Sequence, residues 1–317
     1  MTRPEIVETS PGNAGGYELD CADPAVEAGL RAWLTESELA WPGRFRISVT
    51  VSPTPPFGSD TREPLRQPTV VIQAGPPSGT VRVMWTSAPA MAVVHPTRPE
   101  VALWFSPEAV PHIAEAARTF LLVVLVFVLR RLGWYHVHGA ALRDPEGHGW
   151  LIAGDSNCGK STTTALVASR GWGIGTDDIG FLAAHGRKIA VMGFRSRIAL
   201  RSGGRSLLGA KGGLPLPERA KEGYWPEELG GHWVPEILPE IIAFPTIGEQ
   251  TELAPMAPRD VLAGLVKWSQ WVLYEPVHSQ EHLDALGRLA NQARCYHLTL
   301  GPDLFERPDL LVELARR

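Results

Sequence analysis

Hydrophobic residues follow two rhythms along this chain, and the change of rhythm divides it. Between Arg44 and Val51, Phe45, Ile47, Val49 and Val51 alternate with Arg44, Arg46, Ser48 and Thr50, the period of two imposed by a strand with one buried face. Val70–Gln73, Thr80–Trp85, Met91–Val94 and Val101–Phe105 read as further strands, parted by turns such as Gly75-Pro76-Pro77-Ser78-Gly79. The pattern predicts a meander-like antiparallel sheet. Ahead of it, Val26, Leu30, Trp33 and Leu34 recur at helical spacing and predict one short amphipathic helix. Met1 to about Gly16 is rich in Pro, Gly, Ser and Thr and reads as frayed.

Pro107 to Leu132 reads as one long helix, with Ser106 as N-cap and Pro107 in the first turn. Its second half, Phe120 to Leu129, is apolar all round and must be covered on nearly every side. After Gly133, strands and helices alternate and glycine becomes denser, which marks a second, α/β domain. Trp134–Leu142, Gly149–Ala153, Gly173–Leu182, Lys188–Gly193 and Ile198–Arg201 read as strands of one sheet, and Thr162–Arg170 as a helix. Ser202–Pro239 shows little periodicity and reads as a lid or substrate loop. Ile241–Phe244 and Cys295–Leu300 are strands, and Pro258–Leu273, Glu281–Ala293 and Pro308–Ala315 are helices. The expected organisation is a β-rich α+β N-terminal domain over 1–106, a connecting buried helix over 107–133 and an α/β domain over 134–317.

Composition narrows the classes of function. In 317 residues, 44% hydrophobic and 20% charged, there is length for two cores. A net charge of −4 and the absence of a Lys/Arg cluster interleaved with aromatics argue against a nucleic-acid partner. Cys21, Cys158 and Cys295 have no paired spacing, so neither a disulfide framework nor a zinc site is expected, and a reducing cytoplasm fits. The first twenty residues lack the apolar core of a secretory signal. The run Phe120–Leu129 falls short of the ~20 residues that cross a bilayer, so no stable membrane insertion is expected.

One stretch carries chemistry on its own. Gly154-Asp155-Ser156-Asn157-Cys158-Gly159-Lys160-Ser161-Thr162 fits the phosphate-loop pattern of glycine, four free positions, then Gly-Lys-Ser/Thr, and it sits between a predicted strand and a predicted helix. The glycines let backbone amides turn inward, and the helix start adds partial positive charge. Lys160 is placed for the β- and γ-phosphates of ATP, and the Ser161 hydroxyl for the Mg²⁺ riding on them. Asp177 and Asp178 end the short strand that follows by one crossover, where ligands gather in α/β sheets. One of them can hold metal while the other accepts a hydroxyl proton. His138 shares a strand face with His136; spacing alone gives neither a role.

Together, His138-Gly139-Ala140-Ala141, the Gly154–Thr162 loop, Arg170-Gly171-Trp172 and Thr176-Asp177-Asp178 resemble the catalytic core of HPr kinase/phosphorylase and its relatives, a group that shares its nucleotide fold with ATP-type phosphoenolpyruvate carboxykinase. The resemblance spans about residues 134–200 and, more loosely, 295–311. It implies a P-loop kinase domain in which Asp178 is the base, His138 lies beside the transferred phosphate and Asp177 partners the metal. The family's Arg-Gly-Leu-Gly loop is replaced here by Gly193-Phe194-Arg195-Ser196-Arg197, which turns the expectation from HPr towards stand-alone relatives that phosphorylate a peptide serine. Arg195, Arg197 and Lys211 are candidate phosphate cations or solvated charges. The acceptor stays open between a peptide or protein serine and a small hydroxylated metabolite. A nucleotide-gated binding module in a peptide-processing pathway also stays open, as does a homo-oligomeric state.

Overall fold

A computed structural model describes residues 5–8, 15–58, 62, 64–74, 79–216 and 220–316. The chain folds into two compact units, Met1–Tyr135 with Trp271–His282, and His136–Gln270 with Leu283–Arg317.

In the first unit, β1 (Glu5–Glu8) and β2 (Gly16–Cys21) precede α1 (Pro24–Glu36), followed by β3 (Arg44–Val51), β4 (Leu65–Arg66), β5 (Val70–Gln73), β6 (Val81–Trp85), β7 (Ala90–Val94) and β8 (Glu100–Phe105). Helix α1 starts where it does because Asp23 Oδ1 accepts from the amides of Ala25 and Val26, both at 3.0 Å, with Pro24 at the first helical position. It buries Val26, Leu30 and Leu34. The sheet runs β1-β2-β3-β8-β7-β6-β5-β4. Only β4 to β8 form the expected antiparallel meander. The β2–β3 and β3–β8 pairs are parallel: the helical crossover through α1 returns the chain in its original direction for the first pair, and for the second the chain passes from β3 to β4 at the far edge and meanders back to β8. β1 and β2 also replace part of the segment expected to fray. The rest of that segment, and most of the expected turn at 75–79, lie outside the described residues.

The long helix expected over 107–132 is broken. A 3₁₀ turn at Val110–His112 leads into α2 (Ile113–Arg118) and α3 (Phe120–Arg130), which meet at 59°. The break falls at Thr119, whose φ of −125° and ψ of −76° leave the helical region, while its hydroxyl takes the Glu115 carbonyl at 2.9 Å. A Thr hydroxyl offers the preceding turn this alternative bond. Ser106 is no side-chain cap: its Oγ is buried without a partner. Among the described residues no single helix is long and apolar enough to cross a membrane. Helix α3 ends in Arg130 and Arg131, both fully buried around one carboxylate. Arg130 Nε lies 2.8 Å from Glu275 Oε2, and Arg131 pairs with Oε1. Arg130 also contacts His282 Nδ1 at 2.7 Å. Burial depresses its pKa, against the pull of Glu275.

The second unit begins with β9 (Tyr135–Arg143, shared at its first residue with the first unit), β10 (Gly149–Ala153), α4 (Lys160–Ala168), β11 (Gly173–Thr176), β12 (Ile179–His185), β13 (Lys188–Gly193), β14 (Ile198–Leu200), α5 (Ser202–Leu208), β15 (Leu214–Leu216), β16 (Lys221–Tyr224), β17 (His232–Trp233), β18 (Glu236–Ile237), β19 (Pro239–Ile247) and β20 (Glu252–Pro255). Then come α6 (Pro258–Lys267), α7 (Trp271–Tyr274, which belongs to the first unit), α8 (Ser279–Gln292, the first unit up to His282), β21 (Arg294–Leu300), α9 (Asp303–Glu306) and α10 (Leu310–Ala315). The helix expected over 258–273 therefore stops at Lys267. The main sheet runs β18-β13-β12-β9-β10-β19-β21-β20, with β11 paired to β9 and β17. Strands β10 and β11 both run antiparallel to β9, so they are parallel to each other, as a strand–α4–strand crossover requires. Gly139 on β9 is needed for close approach: a Cβ there would stand 2.9 Å from the Ile152 carbonyl oxygen and 3.3 Å from Ala153 Cα. Trp150, Trp172, Leu166 and Ile174 pack the core on the α4 side.

Two expectations are corrected here. Strand β14 leaves the main sheet for a small three-stranded sheet, β14-β16-β15. The stretch expected to be irregular, Ser202–Pro239, holds α5, β15, β16, a 3₁₀ turn at Pro226–Leu229, β17 and β18. What orders it is burial of Leu216 and Tyr224 and a network in which Glu222 pairs with Arg205 and accepts from the Tyr224 hydroxyl at 2.9 Å. Its strands are two to four residues long and punctuated by Gly and Pro, too short for period two to show.

Candidate functional site

The loop Gly154–Gly159 joins β10 to α4. Strand β10 is buried along its whole length, which fixes where the loop leaves the sheet. Asn157 at φ 68° and Gly159 at φ 97° take left-handed conformations, the first tolerated by Asn and the second requiring Gly. Asp155 Oδ1 accepts from the Ser156 amide at 2.7 Å. Lys160 opens α4 and is buried, its ammonium on the carbonyls of Gly154 at 2.8 Å and Asp155 at 2.7 Å, with Cys158 Sγ at 4.0 Å. The amides of Lys160, Ser161 and Thr162 precede the first bond within the helix, Thr163 to Gly159 at 2.9 Å. Burial pushes the Cys158 thiol up, against the opposing effect of Lys160, so the loop adds no thiolate to repel an anion.

Asp177 follows β11 directly. Its carboxylate is buried; Oδ2 is 3.4 Å from the Ala199 amide and Oδ1 has no hydrogen-bond partner. The Ser161 hydroxyl lies within hydrogen-bonding reach of it. Burial raises the Asp177 pKa above its ordinary 3.8, the adjacent Asp178 carboxylate adds to that, and Ser161, Lys221 and the Ala199 amide act in the other direction. Asp178 is more exposed. Its Oδ1 lies 3.0 Å from His138 Nδ1, and its carbonyl accepts from the Gly139 amide at 3.1 Å.

The residues singled out in the sequence thus occupy one corner of the second unit: Ser161 beside Asp177, Asp178 beside His138, and Lys160 on its loop. Among the described residues no group of three or more His, Cys, Asp or Glu could hold a metal by itself. The donor set suits a hard cation that keeps water and phosphate ligands, as Mg²⁺ does with one hydroxyl and one carboxylate, and the partnerless Asp177 oxygen is what such an ion would satisfy. Arg195 and Arg197 take another place. Their guanidinium carbons lie 4.9 and 4.4 Å from the Trp225 ring centroid, and they pair with Glu227 at 3.5 Å and Glu228 at 3.2 Å. Lys211 is exposed on the segment before β15. Sequence reasoning missed Lys221, a cation acting on Asp177, and Trp268, whose carbonyl accepts from the His138 amide at 2.9 Å. Neither lies in a motif; only strand pairing and the end of α6 bring them in.

No family model matches this chain, and no curated protein matches it. Among solved structures, an HPr(Ser) kinase/phosphatase from Coxiella burnetii aligns with 57% of this chain and 95% of its own, at 14% identity and a TM-score of 0.32.

Proposed function

We propose that this chain is a Mg²⁺-dependent phosphotransferase that moves a phosphoryl group from ATP to a hydroxyl, with a peptide or protein serine as the favoured acceptor class. The observation that carries the reading is the buried Asp177 carboxylate, one oxygen without a partner, beside the Ser161 hydroxyl in the first turn of α4, after a glycine loop. A buried carboxylate left in that state costs the fold free energy. Sites of this kind persist where a ligand completes them.

Lys160 has three N–H donors. Two rest on loop carbonyls and the third reaches only the Cys158 sulfur at 4.0 Å, a weak acceptor that a phosphate oxygen can replace without breaking the loop. Ser161 and Asp177 would hold Mg²⁺. Bound there, the ion would neutralise phosphate charge as it builds up during transfer. Asp178 accepts the proton of the attacking hydroxyl; the His138 imidazole holds its carboxylate and the Gly139 amide holds its main-chain carbonyl.

The test is thermal unfolding with and without Mg·ATP in wild type and Lys160→Ala, beside a mass-spectrometric search for phosphoryl transfer to serine peptides. Saturation at about a hundredfold over Kd should stabilise the wild type by about 2.7 kcal/mol, and the variant much less. Equal shifts would overturn the phosphate-loop role. Tight Mg·ATP binding that changes a partner's affinity without any transfer would make the chain a nucleotide-gated module instead.

A further inference from the structure

Helix α6 ends beside the His138–Asp178 pair. Trp268 closes it as C-cap, donating its amide to Gly264 at 3.2 Å and accepting from the His138 amide at 2.9 Å. These two bonds fix its backbone to the strand that carries the imidazole. The indole, only partly buried, lies 6.4 Å from the His138 ring centroid at a 48° tilt. Over its ring, 4.7 Å from the centroid, sits the ammonium of Lys267, an exposed residue in no described ion pair. One aromatic ring therefore neighbours both the proposed proton-accepting corner and a cation that is in no ion pair among the described residues.

The two neighbours do different work. An indole face next to a reacting hydroxyl can pack the carbon skeleton that bears it, and it carries a cation at little cost because the ring quadrupole attracts the ammonium. A lysine held in this way loses less side-chain freedom on meeting an anion than one waving in solvent. The carboxylates Asp177 and Asp178 would by themselves repel an anionic acceptor, so a cation held against the indole gives such an acceptor one favourable orientation, with its anion towards Lys267 and its hydroxyl towards Asp178.

Resting on the phosphotransferase reading, we infer that Trp268 and Lys267 form the acceptor subsite, and that the acceptor is a hydroxyl carried close to a carboxylate, as in a serine flanked by acidic residues. The same chemistry exists in a small hydroxy acid, and the test separates the two sources.

Binding is read by isothermal titration with the full chain, in the presence of Mg²⁺ and a non-hydrolysable ATP analogue. The probes are a serine peptide with aspartates on both sides, the same peptide with lysines instead, and N-acetylserine. The wild type should bind the acidic peptide at least about tenfold more tightly than the basic one. Lys267→Glu, a surface change that spares the fold, should abolish or reverse that preference, and Trp268→Ala should weaken the acidic peptide about tenfold or more. N-acetylserine binding as tightly as the acidic peptide, with the same loss in both variants, would place the subsite in small-molecule service and overturn the peptide assignment. No charge preference in the wild type, or one that Lys267→Glu leaves intact, would overturn the subsite. Analogue affinity titrated in parallel tests the parent reading separately: a chain that keeps the peptide charge preference yet binds no nucleotide sinks the phosphotransferase proposal and leaves the subsite standing.

Discussion

Nδ1 of His138 lies 3.0 Å from Oδ1 of Asp178 while the next amide along the same strand, that of Gly139, donates to the Asp178 carbonyl at 3.1 Å. Side chain and main chain of one aspartate are thus both held by β9. With Asp178 ionised, His138 donates through Nδ1 and leaves Nε2 as an acceptor. The carboxylate keeps substantial exposure, so an acceptor hydroxyl can approach it.

Replacing Asp178 by Asn keeps size and shape and removes the proton acceptor. Phosphoryl transfer should fall by about 10²-fold or more, while Mg·ATP affinity is held or rises as negative charge near the phosphates is lost. Titration calorimetry beside a transfer assay checks this. Transfer at the wild-type rate would move the base elsewhere.

Asp177 makes a prediction about pH. Its folded pKa is raised above 3.8, so the native state binds this proton more tightly than the unfolded chain. Stability contributed here is present at low pH and is lost as pH climbs from about 3.8 through the folded value. Asp177→Asn should therefore be more stable than wild type at neutral pH, by about 2–4 °C in Tm if relief is about 1 kcal/mol, with the advantage vanishing towards pH 3.8. The same variant should lose the Mg²⁺-dependent part of its ATP-induced shift. A variant less stable than wild type at pH 7 would contradict the unsatisfied-carboxylate account.

Gly139 touches stability and turnover together. A methyl group there would press on the backbone of β10, at 2.9 Å from the Ile152 oxygen, and overpacking of this kind costs about 1–3 kcal/mol. Gly139→Ala should lower the urea midpoint, and it should reduce turnover more than ATP affinity because it displaces the amide that holds Asp178. Unchanged kcat in a destabilised variant would show that this amide does not position the base.

In the first unit, Glu275 is a carboxylate shared by two buried guanidiniums. Glu275→Gln removes the counter-ion they share and should cost about 3–5 kcal/mol. A fragment ending at Tyr135 should fail to fold for the same reason. It also lacks the Tyr274 hydroxyl, which donates to the Ile72 carbonyl at 2.5 Å and accepts from the Leu65 amide at 3.1 Å. Circular dichroism and urea titration of both proteins decide the matter; a cooperatively folding 1–135 fragment would refute it.

Period-two alternation at Arg44–Val51, the Asp23-Pro24 start of α1 and the glycine loop between a strand and a helix are all legible along the chain, because each is set by neighbours a few residues away: side-chain alternation, a cap and left-handed positions. The same holds for the types of residue that gather at the site. Lys160 and Ser161 lie in one motif, Asp177 and Asp178 in one dipeptide, and charged or hydroxyl groups at such points declare their chemistry before any fold is known.

What the sequence could not determine depends on contacts between distant segments. The Thr119 break is a choice between two hydrogen bonds for one turn, and the parallel pairing of β3 with β8 depends on the meander starting at the far edge, at β4. Lys221 and Trp268 enter the site only through β16 beside β14 and α6 beside β9, and Arg195 and Arg197 meet Trp225 and two glutamates. Glu275 joins the unit of Arg130 and Arg131 across half the chain. Local pattern fixes which residues can form a helix, a strand or a phosphate loop; pairing of surfaces in three dimensions decides which charges meet, because burial and the loss of competing water give those meetings their free energy.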